Sequence, residues 1–558
     1  MSDSHLPFWP SYAPRHLWVP QTSLYYNLEV SAARFPDKPF IVFYDTQVSY
    51  RRFKEETEKV AGWLQQACGV GKGDRVLVYM QNSPQFMIAF YGILRAGAVV
   101  VPVNPMNLTG ELRHYVHDSG AKVAFAAQEL YPRMQPLLAE GLERIVVASY
   151  SDYLEAPTDL NVPDFVAAPR QPPADAGAVA WADVMASGCS PGPMEAGPDD
   201  LAVMPYTSGT TGQPKGCMHT HRTVMYNAVA GGIWVQGSGQ PGHVSLAVLP
   251  MFHVTGMQYN LNGAIHSGAT VVLLPRWDRD AAALLVQRHG VTGMALITAM
   301  VIDFMGNPRL DEYDLSSLRS VGGGGAAMPK AVALALERKL GIRYREGYGM
   351  SETMAATHSN PPDRPKEQCL GVPLFDVDAR VVEPGGTKEL APGETGEIVV
   401  NGPQVMLGYW NQPEASGEVF VEIDGKRFLR TGDLAYVDEE GYFFFVDRLK
   451  RMINAAGFKV WPAEVEAMLY HHPAVQEACI IAAQDPRRGE TVKAVIVLKP
   501  GWAGKVTAQE ITDWSHANMA AYKVPRIVEF VAALPKSGAG KVMWRTLQDA
   551  QKAATPRP

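Results

Sequence analysis

Apolar and polar positions alternate from about residue 24 to residue 103 in blocks that predict helices separated by short buried strands. Residues 55–68 place apolar side chains three or four positions apart, which is the spacing of an amphipathic helix. Residues 75–80 form a short apolar run that predicts a strand, and a second helix and strand follow at 86–94 and 98–103. Strands that alternate with helices in this way predict a doubly wound, parallel α/β sheet.

The alternation continues beyond this block and changes character near the C-terminus. Further predicted elements of the same kind lie at residues 110–119, 121–127, 201–204, 245–249, 271–274 and 294–297. Residues 151–199 interrupt them with many Pro, Ala, Gly and Asp residues, which predicts a surface excursion. The remainder predicts helices at 463–470 and 507–519 and strands at 478–482 and 492–498. We therefore expect a large α/β domain at residues 1–446 and a small α+β domain at residues 447–558.

Composition narrows the class of protein. The chain has 558 residues, 19% charged residues and a net charge of −7, which argues against a general nucleic-acid binder. Its five cysteines form no C-x-x-C pair, so they indicate a reducing compartment and no structural metal. The start lacks the features of a secretory signal, and no apolar run approaches the ~18 residues that cross a bilayer. The sequence favours a cytoplasmic protein without a membrane span and leaves a homodimer open.

A segment of small and hydroxylic residues, Y-T-S-G-T-T-G-Q-P-K-G at residues 206–216, has the chemistry of a phosphate-binding loop. Its donors and turn positions are Thr207, Ser208, Gly209, Thr210, Thr211, Gly212 and Lys215. Glycine lets backbone N–H groups approach an anion closely, and the lysine adds a positive charge. The loop lacks the G-x-x-x-x-G-K-[ST] spacing of a Walker A motif. A flexible linker is the alternative, but a linker does not need this proline and lysine.

Two further glycine-containing segments follow predicted strands and are candidates for ligand contact. Residues 322–325 are four consecutive glycines, so either a ligand or a tightly packed neighbour must approach their backbone. The second segment is R-E-G-Y-G-M-S-E-T at residues 345–353. In this segment Tyr348 offers a flat ring to a nucleotide base, and Ser351 offers a hydroxyl group to a phosphate. Glu352 offers the hard oxygen ligand that Mg²⁺ prefers.

Taken together, these segments resemble the adenylate-forming superfamily, which contains acyl-CoA synthetases, peptide-synthetase adenylation domains and beetle luciferases. Residues 206–216 are similar to its phosphate loop, 324–326 to its G-G-A segment and 348–352 to its Y-G-x-[ST]-E motif. Further matches follow in the same order: R-T-G-D at 430–433, D-R-L-K at 447–450 and G-K at 540–541. Ala539 departs from the Ser or Thr that usually precedes this G-K. The resemblance covers residues 24–547 and implies ATP, Mg²⁺ and coenzyme A as cofactors.

The resemblance also implies roles for individual residues. It implies catalysis by Lys541, Glu352, Thr207 and Lys215, with Glu352 as the magnesium ligand. It implies nucleotide binding by Thr207, Ser208, Gly209, Thr210, Thr211, Gly212, Lys215, Gly324, Gly325, Ala326, Glu346, Gly347, Tyr348, Gly349, Ser351, Asp433, Arg448 and Lys541. Asp433 matches a ribose-binding aspartate, Lys450 matches the hinge about which the small domain rotates, and Gly457 lies in the segment that lines the thiol channel.

The segment P-M-F-H-V-T-G-M at residues 250–257 resembles fatty-acyl-CoA ligases more than amino-acid-activating domains. Candidates for the acid pocket are His253, Val254, Met257, Ala299, Gly323 and Gly349, which are mostly apolar or small. No acidic residue that could hold an amino group occurs between residues 250 and 269. We therefore expect an ATP-dependent acyl-CoA ligase for a medium- or long-chain aliphatic acid. The alternatives are an aryl-CoA ligase, a stand-alone adenylation enzyme that loads a carrier-protein thiol, and a nucleotide-binding scaffold without catalysis.

Overall fold

The computed structural model describes residues 3–207, 213–235, 242–324, 328–455, 458–485, 489–536 and 542–554. The chain forms two compact units. Unit 1 comprises residues 1–379 and 400–429, and unit 2 comprises residues 380–399 and 430–558. The domain boundary expected between residues 446 and 447 stays a prediction.

The larger sheet of unit 1 has nine strands. In spatial order they are Val372–Pro373, Ala355–Ser359, Arg345–Met350, Ser320–Gly324, Gly293–Ala295, Val244–Ala247, Thr270–Leu273, Pro39–Phe43 and Thr46–Ser49. The six strands from Arg345–Met350 to Pro39–Phe43 run parallel. Parallel strands bring their carboxyl ends to one edge of a sheet, which is where ligands bind in open α/β folds. Gly324 and Met350 both end strands at that edge.

The second sheet of unit 1 has seven strands. In spatial order they are His219–Thr220, Leu201–Val203, Val99–Pro102, Arg75–Tyr79, Val123–Ala127, Arg144–Ala148 and Ala178–Ala180. All neighbours pair in parallel except His219–Thr220, which is antiparallel to Leu201–Val203. The predicted doubly wound α/β architecture of the large domain is confirmed.

Helices connect the parallel strands of unit 1. The helices of seven or more residues are Tyr25–Arg34, Tyr50–Cys68, Pro84–Arg95, Thr109–Ser119, His221–Trp234, Arg279–His289, Thr298–Met305, Lys330–Leu340 and Pro413–Val419. The shorter ones are Tyr131–Met134, Asp164–Ala167, Trp181–Ala186, Val254–Gly256, Gly263–Ser267 and the π-helical turn Met257–Asn262. The helix predicted at residues 55–68 begins earlier, at Tyr50. It does so because the Ser49 side chain caps it by accepting from the Arg52 N–H at 3.2 Å.

The segment at residues 151–199 is not only a surface excursion. Its strand Ala178–Ala180 adds to the edge of the seven-stranded sheet by pairing in parallel with Arg144–Ala148. Trp181 follows directly and is 2% exposed. The expectation of a wholly superficial segment is therefore wrong at these residues, because a three-residue edge strand is too short to show a strand period in the sequence.

The main sheet of unit 2 has five strands. They are Phe458–Val460, Ile453–Ala455, Gly489–Leu498, Val475–Asp485 and Ile527–Phe530, and the helices beside them are Pro462–Leu469, Ala508–Asn518 and Trp544–Ala554. The predicted small α+β unit is confirmed, with its two central strands longer than expected. Between residues 378 and 448 the chain adds the strands Asp378–Val382, Gly396–Asn401, Phe420–Ile423, Lys426–Val437 and Phe443–Arg448.

Candidate active site

The predicted phosphate loop connects the two strands of a short hairpin. The strands Tyr206–Thr207 and Lys215–Gly216 pair antiparallel, with Lys215 directly opposite Thr207. Opposed residues of an antiparallel pair point to the same face, so the structure brings these two predicted catalytic residues together. The predicted loop residues between them, Ser208, Gly209, Thr210, Thr211 and Gly212, lie outside the described residues.

Both strands of the hairpin are anchored to the helix Thr109–Ser119. The Tyr206 hydroxyl donates to Asp118 Oδ2 at 2.6 Å, and His114 Nε2 donates to the Pro214 carbonyl at 2.7 Å. Burial, followed by the hydrogen bond to Asp118, raises the pKa of Tyr206, so the hydroxyl stays protonated as a donor. Tyr206 and Pro214, on either side of the predicted loop, are therefore fixed to this helix.

Glu352 lies close to this hairpin through a shared neighbour, Tyr409. Glu352 is 6% exposed, and its Oε1 accepts a hydrogen bond from the Tyr409 hydroxyl at 2.9 Å. Burial and the charge of Glu352 raise the pKa of Tyr409, so its proton stays available. The ammonium group of Lys215 lies over the ring of the same tyrosine, 5.1 Å from its centroid. One aromatic side chain thus contacts both a candidate phosphate ligand and the candidate metal ligand.

The neutral side chain of His219 holds the turn Ser351–Thr353, which carries Glu352. His219 Nε2 lies 2.8 Å from the Ser351 carbonyl, and its Nδ1 lies 3.2 Å from the Thr223 hydroxyl. Burial lowers the pKa of His219 to about 4. Because a carbonyl only accepts, the ring proton sits on Nε2 and the bond selects that tautomer.

The backbone after Glu352 is strained. Met354 and Ala355 have φ angles of +45° and +80°, which residues other than glycine rarely adopt. The amide nitrogen of the Asn227 side chain bridges this bend, with the carbonyls of Thr353, Met354 and Ala356 at 3.2, 2.7 and 3.1 Å. Strain of this kind persists where the surroundings enforce it, and it clusters at functional sites.

The glycines of the two candidate segments are required by tight packing. A Cβ atom at Gly323, Gly324 or Gly349 would collide with backbone atoms of a neighbouring segment. Close approach of strands, the alternative that the sequence left open, therefore accounts for these glycines without a ligand. Gly325 and Ala326 lie outside the described residues, and the contact of this wall with a nucleotide or acid stays a prediction.

Two residues on the strand Arg345–Met350 are tied to their surroundings. Glu346 is 8% exposed, and its Oε1 accepts from the Met328 N–H at 3.0 Å, just after the glycine-rich segment. Burial raises the pKa of Glu346 to about 7. Tyr348 stands opposite His358 on the adjacent strand, and their ring centroids lie 5.6 Å apart.

The candidate acid pocket is formed in part by one continuous bend. His253 begins the short helix Val254–Gly256, where its Nδ1 accepts from the Thr255 N–H at 3.4 Å. The π-helical turn Met257–Asn262 follows at once, and Val254 and Met257 are buried. Turns of this type are frequent at functional sites. Ala299 lies on a different element, the helix Thr298–Met305, with its side chain exposed.

A buried amide from the other sheet holds the start of this bend. Asn82 is 4% exposed, and its Oδ1 accepts from the Met251 N–H at 2.8 Å. Its side-chain nitrogen donates to the Leu249 carbonyl at 3.0 Å and approaches the Leu274 carbonyl at 3.5 Å. The oxygen and the nitrogen of the Asn82 amide thereby fix the backbone that leads to His253.

In unit 2 the structure brings the predicted ribose and nucleotide residues together. Asp433 and Arg448 stand opposite each other on the strands Lys426–Val437 and Phe443–Arg448, and Arg448 Nε lies 3.0 Å from Asp433 Oδ1. The carboxylate is buried, whereas about half of the arginine side chain is exposed. Lys541 and Gly457 lie outside the described residues, as does the side chain of Lys450.

The donor set of unit 1 fits Mg²⁺ bound together with a phosphate ligand. Among the described residues no group of three or more His, Cys, Asp or Glu side chains is arranged to hold a metal ion. Mg²⁺ commonly takes one or two carboxylates plus substrate phosphates and water, in place of an all-protein cage. Glu352 supplies one such carboxylate, held in place by the hydrogen bond that its Oε1 accepts from Tyr409.

Comparison with known families identifies the chain. The family model described as AMP-binding enzyme matches residues 28–410, and the model described as AMP-binding enzyme C-terminal domain matches residues 464–541. The chain belongs to the AMP-binding enzyme family. This confirms the resemblance that the sequence motifs indicated.

Named relatives of this AMP-binding enzyme are acid–CoA ligases. The long-chain-fatty-acid–CoA ligase of Bacillus subtilis (strain 168) is 36% identical over 548 residues, which cover 97% of this chain and 96% of the relative. Feruloyl-CoA synthase of Amycolatopsis sp is 35% identical over 503 residues, which cover 89% and 93%. The crystal structure of ATP-bound MatB from Rhodopseudomonas palustris is similar with a TM-score of 0.83 at 27% identity, covering 95% of this chain and 99% of that one.

Several residues that shape the site of this AMP-binding enzyme escaped the sequence analysis. Tyr409, His219, Asn227 and Asn82 contact predicted site residues or the turns that carry them. Their partners lie far away in the sequence, for example 57 residues for Tyr409 and Glu352. Nothing in the sequence showed that the Tyr409 hydroxyl reaches the predicted metal ligand Glu352.

Proposed function

We propose that this chain is an AMP-forming acyl-CoA ligase for medium- or long-chain aliphatic acids. The observation that carries the proposal is the arrangement around Tyr409. It brings the phosphate-loop lysine Lys215 and the buried carboxylate Glu352 to one side chain. A cation and a metal-binding carboxylate held beside a glycine- and hydroxyl-rich loop suit the triphosphate of Mg·ATP.

In the first reaction a carboxylate oxygen of the acid attacks the α-phosphorus of ATP. A bond from oxygen to phosphorus forms, the bond to the β-phosphate bridge breaks, and pyrophosphate leaves with its electron pair. Thr207 and Lys215 bind the outgoing phosphates, and Glu352 would hold Mg²⁺, which would neutralise phosphate charge. Since phosphoryl transfer needs little covalent help, positioning and charge neutralisation are the work of the protein. Lys541 is the proposed partner of the acid and the α-phosphate.

In the second reaction the sulfur of coenzyme A attacks the acyl carbon of the adenylate. The thioester forms, AMP leaves, and the thiol proton is released. Coupling the acid to AMP replaces an oxide leaving group by a good one, so one difficult step becomes two easier ones. The hinge at Lys450 and the thiol channel at Gly457 belong to this step and remain proposals.

The walls of the acid pocket support an aliphatic substrate. Val254 and Met257 are apolar and buried, and His253 uses Nδ1 to cap its own short helix. The long-chain-fatty-acid–CoA ligase of Bacillus subtilis agrees with this choice. An aryl acid is the second candidate, because feruloyl-CoA synthase is a relative of similar identity. A stand-alone adenylation enzyme for a carrier-protein thiol is a third.

The cellular location and the oligomeric state of the enzyme are proposed from the sequence alone. Within the described ranges, no helix combines the length and the apolar character needed to cross a bilayer. We propose a cytoplasmic enzyme that binds no nucleic acid, and leave a homodimer open.

The deciding experiment measures AMP and pyrophosphate formed from Mg·ATP with octanoate, palmitate, cinnamate, ferulate and an amino-acid panel, each with and without CoA. We expect CoA-dependent turnover with the two fatty acids and at least tenfold lower kcat/KM with the aryl acids. A preference for cinnamate or ferulate would replace the substrate class by the aryl one. Pyrophosphate release at the same rate with and without CoA would indicate that the acyl acceptor is a carrier-protein thiol. No pyrophosphate release with any acid would contradict the proposed activity.

A further inference from the structure

The segment Met406–Trp410 is attached to both halves of the candidate phosphate site. Its Met406 N–H donates to the carbonyl of Glu352 at 2.9 Å. At its other end the Trp410 N–H donates to the carbonyl of Gly216 at 2.8 Å, directly after Lys215. Between these two main-chain bonds stands Tyr409, which is 7% exposed. The position of its ring is therefore set by the same two elements that carry the lysine and the carboxylate.

We propose that Tyr409 is a positioning residue that keeps Lys215 and Glu352 apart and aims each at the phosphates of Mg·ATP. The inference rests on the proposed function, since it assigns the lysine to phosphate and the carboxylate to Mg²⁺. It adds a residue that contacts neither the acid nor the reacting atoms and acts through its two charged neighbours.

The hydroxyl end of Tyr409 orients the carboxylate. A phenol has one proton, and here it goes to Glu352 Oε1 at 2.9 Å. That bond fixes the rotation of the carboxyl group, and with it the direction in which the carboxylate faces a metal. Hydrogen bonds to a charged acceptor are among the stronger ones in proteins, so this bond is a firm constraint on a metal ligand.

The ring of Tyr409 holds the lysine without neutralising it. The ammonium group lies 5.1 Å from the ring centroid, within the range of a cation–π contact. Among the described residues no carboxylate forms an ion pair with Lys215, so its charge is available to a phosphate. If a side chain without the ring replaced the tyrosine, Lys215 and Glu352 could attract each other. Their charges would then offset one another and would no longer be directed at the phosphates and Mg²⁺ of Mg·ATP.

Two substitutions separate the two contacts. Tyr409→Phe removes the hydroxyl and keeps the ring, whereas Tyr409→Leu removes both. Tyr50→Phe is the matched control, because Tyr50 is a fully buried tyrosine of unit 1 whose hydroxyl donates to the Ala264 and Ala269 carbonyls. Circular dichroism and thermal unfolding show whether each variant is folded.

The measurement is binding of ATP to the whole protein by calorimetry over a range of Mg²⁺ concentrations, without acid, so that no turnover occurs. We expect Tyr409→Phe to raise the Mg²⁺ concentration for half-maximal ATP binding about 10-fold, the effect of losing one hydrogen bond to a carboxylate. Tyr409→Leu should weaken ATP binding about a further 10-fold. In a Lys215→Met background this further loss should vanish, because the ring then has no cation to hold. Thioester formation from supplied acyl-AMP should be unchanged in the Tyr409 and Tyr50 variants, because that half-reaction involves no β- or γ-phosphate.

Other results would overturn the inference. If Tyr409→Phe has the same Mg²⁺ dependence as Tyr50→Phe, the hydroxyl does not position the metal ligand. If Tyr409→Leu is equally harmful with and without Lys215, the ring does not position the lysine. Failure of the proposed function is distinguishable, because then the unaltered protein would itself bind no Mg·ATP. Should the leucine variant not fold, the phenylalanine variant alone decides the hydroxyl contact.

Discussion

Arg448 Nε lies 3.0 Å from Asp433 Oδ1, across two adjacent antiparallel strands of unit 2. The carboxylate is almost fully buried, and a buried charge needs a compensating partner. Arg448 supplies that partner. A ribose that binds to Asp433 must therefore share the carboxylate with the arginine or displace it.

This pair predicts how the enzyme treats a nucleotide that lacks a ribose hydroxyl. We expect the unaltered enzyme to prefer ATP over 2′-deoxy-ATP by about 10- to 100-fold in kcat/KM, the value of one hydrogen bond to a charged group. Asp433→Asn should weaken the use of ATP and abolish the preference. Initial rates with both nucleotides give the ratio for each protein. A preference that survives in Asp433→Asn would show that another residue binds the ribose.

The strained bend after Glu352 predicts a strong dependence on Asn227. Replacing this residue by Ala removes the donor that bridges the carbonyls of Thr353, Met354 and Ala356. We expect a loss of about 1–3 kcal/mol in the free energy of unfolding, since the carbonyls of Thr353 and Met354 lose their donor, whereas Gln404 still donates to that of Ala356. The KM for Mg·ATP should rise because the turn that carries Glu352 relaxes.

Asn227→Asp is the sharper variant of this test. It keeps the shape of the side chain but turns an oxygen toward the same carbonyls, so it should be at least as harmful as the alanine. Urea unfolding and ATP kinetics measure the two effects. Equal stability of Asn227→Asp and the unaltered protein would mean that the amide does not support the bend.

Asn82 predicts a selective effect on the acid substrate. Asn82→Ala removes the bonds to the Met251 N–H and the Leu249 carbonyl that direct the chain into His253. We expect the KM for the fatty acid to rise about 10-fold, the cost of losing such a bond at about 1.4 kcal/mol, while the KM for ATP stays within a factor of two. Steady-state kinetics with each substrate varied in turn test this.

Gln85→Ala provides the matched control for Asn82. Gln85 is also a buried amide near the start of the helix Pro84–Arg95, but its nitrogen donates to the Ser149 carbonyl, away from the acid pocket. Its loss should lower stability and leave the KM for the acid unchanged. If both variants raise that KM equally, Asn82 has only a general structural role.

Glu346 predicts that stability falls as the pH rises through neutrality. Burial raises its pKa to about 7 in the folded protein, while the unfolded chain keeps the ordinary value of 4.5. Between these values the folded state binds more protons, so its stability declines with increasing pH. We expect the unaltered protein to lose about 2 kcal/mol relative to Glu346→Gln between pH 5.5 and 7.5. Parallel unfolding curves at the two pH values check this, and an unchanged difference would contradict the buried, protonated carboxyl.

The helices and strands of this protein could be predicted from sequence wherever the apolar period was long enough. The strand at 75–80 and the helix at 507–519 are examples, and they appear as Arg75–Tyr79 and Ala508–Asn518. Ala178–Ala180 was missed because three residues show no period. Helix ends also depend on single caps, as at Ser49.

The candidate site could be predicted only where a contact leaves a local pattern. Lys215 and Glu352 stand in recognisable segments, but their link through Tyr409 joins residues that are far apart in the sequence. The glycines at 323, 324 and 349 show a second limit of the sequence. Glycines at these positions indicate that a neighbour comes close to the backbone, and only the fold shows that neighbouring backbone does so, whereas their contact with a ligand stays a prediction.

The π-helical turn Met257–Asn262 would let the candidate acid pocket change shape in a simple way. A π-turn holds about one residue more than an α-helical turn, and each residue of an α-helix advances the chain by about 100°. Deleting a single codon within it would let the segment continue as an α-helix and rotate His253, Val254 and Met257 relative to the residues that follow. A single-residue deletion could thus produce a new acid specificity while both sheets and the predicted nucleotide-binding residues stay unchanged. Such a deletion would alter the shape of the pocket wall more than a single substitution does.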